Sequence, residues 1–239
     1  MLVKPEITLY CLPFAGGNAF SYRHFQAHLA DAIQVIALEL PGRGKRFKEP
    51  LLTTMEAMIV DMFLQIQKGI TPNNPYAIYG HSMGALLGYE LTRYILYANL
   101  PPPQHLFFSG RRAPSVPDDL PLKHSLPKEE FMKAVKDLGG CPPELLAHQE
   151  LTDLFEPILR ADFQAIETYV YTPASPINVP ITLLHGSDDE EVTYDQLLPW
   201  QQETRQQLII QSFLGDHFFI FEHLAQIGRL LSQTLIPQH

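Results

Sequence analysis

The 239 residues suit one large domain, and a 46% hydrophobic share supplies a sizeable core. The formal charge of −9, from 17 basic and 26 acidic residues, argues against nucleic-acid binding, which needs clustered positive charge. Two cysteines, Cys11 and Cys141, build no disulfide framework, and neither a leader-like N-terminus nor a membrane-length apolar run is present, so a cytoplasmic, membrane-free protein is expected.

In chain order, apolar runs at 7–12, 35–40, 76–79, 106–109, 181–184 and 208–213 read as strands. They are near-continuous rather than alternating, the pattern of strands covered on both faces. Helical patterns fill 19–30, 54–68, 83–98, 194–202 and 218–235. This alternation predicts an α/β protein with a mainly parallel, doubly wound sheet. Arg43, Lys45, Arg46 and Lys48 fall within six residues. They read either as a solvated loop or as a patch that steers an acidic partner.

From Ala113 to Pro173 no strand pattern occurs, and Pro114, Pro117, Pro121, Pro173, Pro176 and Pro180 bracket the stretch. Within it, 128–138 is helical, with Phe131, Val135 and Leu138 on one face. Leu151, Leu154, Phe155, Ile158, Leu159, Phe163, Ile166 and Val170 also follow helical spacing, with Pro157 predicting a kink or a late helix start. The expected organisation is a single domain, 1–239. Its core is 1–113 and 174–239, and a helical insertion of about 114–173 lies between two core strands. Such an insertion suggests a lid over a site at the strand ends; a plain structural helical layer is the alternative.

Gly80-His81-Ser82-Met83-Gly84 joins an apolar strand to an apolar helix and fits the nucleophile elbow G-x-S-x-G. Ser82 would sit on a strained turn at a helix N-terminus, where free N–H groups favour developing negative charge. A serine N-cap in a tight turn is the plainer reading. A serine hydroxyl needs a base. His217 lies in Gly215-Asp216-His217-Phe218-Phe219, between the last strand and the last helix, where the histidine of a Ser…acid…His order falls. His105 and His185 adjoin strands and read as packed or capping residues. The acid should follow the penultimate strand. Asp189 is preferred from the spacing of Gly186, Asp189 and Val192, with Asp188 second. The backbone amides of Met83 and Ala15, with Phe14 second to Ala15, are the candidate oxyanion donors. Phe14, Gly16 and His81 are the candidate substrate-binding residues. Gly16-Gly17 is not a dinucleotide fingerprint, since G-x-G-x-x-G is missing.

Together these residues resemble the type II thioesterases of nonribosomal peptide and polyketide synthesis, which have an α/β-hydrolase fold. The likeness rests on Leu12-Pro13-Phe14-Ala15-Gly16-Gly17, Pro41-Gly42-Arg43-Gly44, the elbow and Ser109-Gly110-Arg111-Arg112-Ala113-Pro114. Leu138-Gly139-Gly140, Leu159-Arg160-Ala161-Asp162, Asp189, Trp200, Thr204 and the His217 motif complete it. Many members carry histidine where this chain has Phe14. The resemblance implies hydrolysis of stalled or wrong acyl groups from the phosphopantetheine arm of acyl or peptidyl carrier proteins, without metal or soluble cofactor. It implies Ser82, Asp189 and His217 as the triad. A monomer is expected, with carrier docking through Arg43, Lys45, Arg46 or Arg111. A medium-chain acyl-carrier thioesterase, a general carboxylesterase and a non-catalytic docking module are the competing readings.

Overall fold

The apolar runs become β1 (Ile7–Leu12), β2 (Ile33–Ala37), β3 (Tyr76–His81), β4 (Leu106–Ser109), β5 (Ile181–Gly186) and β6 (Ile209–Phe213). They form one sheet in the order β2-β1-β3-β4-β5-β6, with every described pairing parallel. The computed structural model describes residues 6–117, 122–139 and 148–236; Pro121, Gly140, Cys141 and His239 lie outside the described residues.

Every residue of β3, β4 and β5 is buried, whereas the edge strands β2 and β6 alternate toward solvent. Side chains alternate across the sheet, so one strand feeds two cores. Tyr10, Leu12, Ile78 and Phe108 join the cluster under α1 (Met55–Ile66) and α2 (Met83–Tyr97). Leu9, Cys11, Tyr79 and Phe107 join the opposite cluster, closed by Tyr22, Phe25 and the terminal helix α5 (Leu224–Leu235). β2 ends at Ala37 rather than extending to residue 40. Leu38 and Leu40 are apolar because they enter the first of these cores after leaving the sheet.

Three predicted helices are partly or wholly 3-10 in character. Residues 19–30 form two short turns, Ala19–Tyr22 and Phe25–His28. Three residues per turn suits Tyr22 and Phe25, whose buried rings meet at 5.1 Å. The 194–202 stretch breaks at Leu197 into Tyr194–Gln196 and Leu198–Gln202, with Pro199 in the first turn of the second. Residues 219–221 make one 3-10 turn before α5 begins.

Between β4 and β5 lie α3 (Lys128–Asp137) and α4 (Gln149–Glu167). α4 runs through Pro157 and begins ahead of it, so the late start is not seen; Pro157 lacks the N–H that would reach the Asp153 carbonyl. Phe131, Met132, Val135, Leu159 and Phe163 form a separate small core, against which Ala15 of the main body packs. Leu151, Leu154 and Val170, expected on the same apolar face, are exposed instead.

Phe108 is fully buried, 5.3 Å from the ring of Trp200, the sole tryptophan. Phe108→Ala should destabilise the fold by about 3–5 kcal/mol, read as a lower urea midpoint in Trp200 fluorescence. An unchanged midpoint would show that the two-sided packing described here does not carry the stability.

Candidate active site

β1 has β2 on one side and β3 on the other, so strand addition reverses there. In open parallel sheets the crevice at the carboxyl ends of such a pair is where ligands bind. The register sets Leu12 opposite Gly80, so the loop after β1 and the elbow after β3 leave the sheet side by side. Ser82 has φ +52° and ψ −115°, a conformation that costs a non-glycine residue about 1–3 kcal/mol. It is held by its N–H donating 2.8 Å to the Ser109 carbonyl and by its own carbonyl accepting from Ala85. A Cβ at Gly80 would collide with the Gly84 carbonyl, and one at Gly84 would lie 2.6 Å from the Leu12 carbonyl oxygen. Both glycines are therefore steric requirements of the turn.

The Nδ1 atom of His217 lies 2.9 Å from Asp189 Oδ2. Asp189 Oδ1 accepts the N–H groups of Glu191 and Val192 at 2.9 and 3.2 Å, and its side chain is fully buried. The carboxylate is thereby held in one orientation, and with Nδ1 engaged the Nε2 of the imidazole is left to face other partners. Asp188 is exposed and does different work. Its N–H and carboxylate bind the backbone of Gly215, bracing the loop that carries His217. The His217 ring lies 4.9 Å from that of His81, the neighbour of Ser82. Among the described hydrogen bonds none joins Ser82 to His217; such contacts commonly tighten only around substrate.

His81 was expected among the substrate-binding residues. It is fully buried, behind the site rather than on its surface, because Phe14, Phe218 and His217 cover its ring. Burial, reinforced by His217, pushes its pKa well below the usual imidazole range, so it is neutral at pH 7. Its Nδ1 meets Ser109 Oγ at 3.0 Å. Phe14 is buried in the same aromatic group, with Tyr22 and Phe221 also against it. Ala15 and Gly16 are half-buried at the edge of the crevice. Neither the Ala15 nor the Met83 amide donates to any group in the described hydrogen bonds.

The basic cluster dissolves on folding. Arg43 is buried and binds Asp162 of α4 through two N–H···O contacts, at 2.6 and 2.7 Å. Arg46 pairs with Glu49 and Asp61. Arg43 is thus unavailable to a docking partner, and only Lys45 and Lys48 of the four are exposed. Sequence reasoning matched Arg43 and Asp162 to separate motifs and missed their pairing across 119 positions.

The thioesterase-domain family matches residues 7–235. The chain belongs to the thioesterase domain family. GrsT, the gramicidin S biosynthesis protein of Aneurinibacillus migulanus, is 37% identical to this thioesterase over 230 residues, covering 96% of the chain and 89% of GrsT. The solved structure of ClbQ, from the colibactin NRPS/PKS pathway, superposes with a TM-score of 0.91 at 37% identity, covering 96% of this chain and 97% of that one. YbtT, a type II thioesterase from the yersiniabactin NRPS/PKS pathway, gives 0.86 at 32% identity, covering 96% and 93%. The thioesterase's sheet and flanking helices therefore have the α/β-hydrolase fold. Among the described residues no group of three or more His, Cys, Asp or Glu could hold a metal, and no helix is long and apolar enough to cross a membrane.

The hydrogen-bonded His217 Nδ1 proton should give a downfield proton NMR resonance. That signal should vanish in Asp189→Asn and persist in Asp188→Asn. Its loss in the Asp188 variant alone would reverse the assignment of the two carboxylates.

Proposed function

We propose that this thioesterase clears stalled or wrong acyl groups from the phosphopantetheine arms of carrier proteins in a nonribosomal peptide or polyketide synthase. The observation that carries the proposal is the buried Asp189–His217 pair, set beside a strained serine turn. In this reading His217 Nε2 takes the Ser82 hydroxyl proton as Oγ bonds to the thioester carbonyl carbon. The carbonyl becomes an oxyanion, stabilised by the amides of Met83 and Ala15. The carbon–sulfur bond breaks, the pantetheine thiol leaves with the proton from His217, and an acyl-Ser82 ester remains. Water, deprotonated by His217, then attacks that ester; the carboxylic acid is released and Ser82 regains its proton.

Asp189 fixes the tautomer and balances the imidazolium charge during both steps. These side chains suffice without metal or soluble cofactor. α3 and α4 serve as the lid, joined by the buried cluster around Phe131, Leu159 and Phe163, against which Ala15 packs. The partner is an acyl or peptidyl carrier protein, and the enzyme works as a cytoplasmic monomer. What supports this setting is the kinship with YbtT, together with an elbow and an Asp–His pair that a docking module would not require.

Hydrolysis of acyl-phosphopantetheinyl carrier protein should fall roughly 10⁶-fold in Ser82→Ala and about 10⁴-fold in Asp189→Asn. Release that continues at a similar rate in Ser82→Ala defeats the mechanism. A strong preference for a p-nitrophenyl ester over the carrier-bound thioester turns the assignment to a carboxylesterase.

A further inference from the structure

The buried carboxylate of Asp162 has a task that its ion pair with Arg43 does not exhaust. Asp162 Oδ2 accepts the N–H of Gly16 at 2.8 Å as well as the Arg43 N–H. Arg43 in turn donates to the carbonyl of Gly17 at 3.3 Å. The loop that follows β1 is thus clamped at two consecutive residues, immediately after Ala15. Two further contacts repeat the attachment. Gly16 has φ +75°, and a Cβ there would lie 2.6 Å from Leu159 Cδ2, one turn earlier on α4. Ala15 itself packs against both the main core and the small core of the insertion. No other acceptor in the described hydrogen bonds takes the Gly16 N–H.

We propose that Asp162 is a positioning residue for the oxyanion site: it aims the Ala15 amide by holding Gly16 and Arg43 together, so the site is complete only while α4 is seated on the loop. The proposal rests on the thioesterase mechanism given above. Asp162 and Arg43 are buried and share no described hydrogen bond with Ser82; they act through backbone. An amide directed at a developing oxyanion gains most of its interaction in the tetrahedral state. Loss of the clamp should therefore lower kcat and leave ground-state binding alone.

The test compares wild-type protein with Asp162→Asn and with the double variant Arg43→Met/Asp162→Leu, which removes both charges together and strands neither. Each is assayed with an acyl N-acetylcysteamine thioester and with the matching trifluoromethyl ketone, whose adduct on Ser82 carries an oxyanion. Expected is a fall in kcat of about 10–100-fold in both variants, KM nearly unchanged, and ketone inhibition weakened by the same factor as kcat. Wild-type kcat in either folded variant overturns the proposal. So does a loss confined to KM, or a kcat loss with undiminished ketone affinity. A double variant that fails to fold also overturns it, since the pair would then be a determinant of folding. Wild-type protein that hydrolyses no thioester sinks the thioesterase mechanism instead, an outcome readily told apart from active wild type with equally active variants.

Discussion

The approach of two backbones, Gly84 beneath the Leu12 carbonyl, is the constraint on which the carboxyl edge of the sheet depends. A Cβ would sit 2.6 Å from that oxygen, so only glycine lets the first turn of α2 settle against the end of β1. With α2 seated there, β3 must turn sharply through Ser82, and the strain at φ +52° is the geometric consequence. The Leu12–Gly80 register brings the turn beside the loop of Ala15, and Gly110, after β4, brings its backbone within reach of both His81 and His217. Strand order, glycine placement and local strain are three aspects of one packing solution.

Two buried carboxylates then fix the loops above that edge, and they do so with different chemistry. Asp189 and Asp162 are both fully buried, and each accepts three N–H donors. In each case the converging donors satisfy a carboxylate that burial has cut off from water. Their partners set them apart. One donor to Asp189 is an imidazole, whose second ring nitrogen leaves it a further site for a proton or a hydrogen bond. Two donors to Asp162 belong to a guanidinium, which stays charged. The first pair leaves a ring nitrogen for further chemistry, and the second ties up its donors in holding a position.

What was legible in the sequence was whatever local sterics or short spacing dictates. The elbow is readable because a strained turn leaves no choice at residues 80 and 84. The sheet is readable because strands covered on both faces must be apolar throughout, as 76–81 and 181–186 are. The four residues from Gly186 to Asp189 pointed at the carboxylate that reaches His217. Short 3-10 turns at 19–28 were hidden, since an apolar period of three or four looks the same over so few residues. Arg43 looked like surface because neighbouring lysines and arginines suggest solvent. Its carboxylate partner comes from an insertion more than a hundred residues later, and no local pattern encodes that meeting. The burial of His81 was hidden for a related reason: its elbow position is local, whereas the aromatic rings that enclose it come from two distant loops.

A buried ion pair between core and insertion is not explained by stability alone, since well-packed apolar residues often serve as well or better. Apolar replacement would keep α4 against the body through Leu159, beside Gly16, and Ala165, which lies in the main core. Such contacts tolerate small rotations and shifts of a helix, because dispersion is weakly directional. The guanidinium–carboxylate fork does not; its two parallel contacts fix both orientation and distance. An apolar residue at 162 would also remove the acceptor for the Gly16 N–H, whose alternative is an unsatisfied donor in a half-buried loop. The polar contact thus selects one register of α4 on the loop, while the apolar cluster supplies the adhesion. This division of labour suits a segment whose position on the loop of Ala15, at the edge of the crevice, is set by direction as well as by contact.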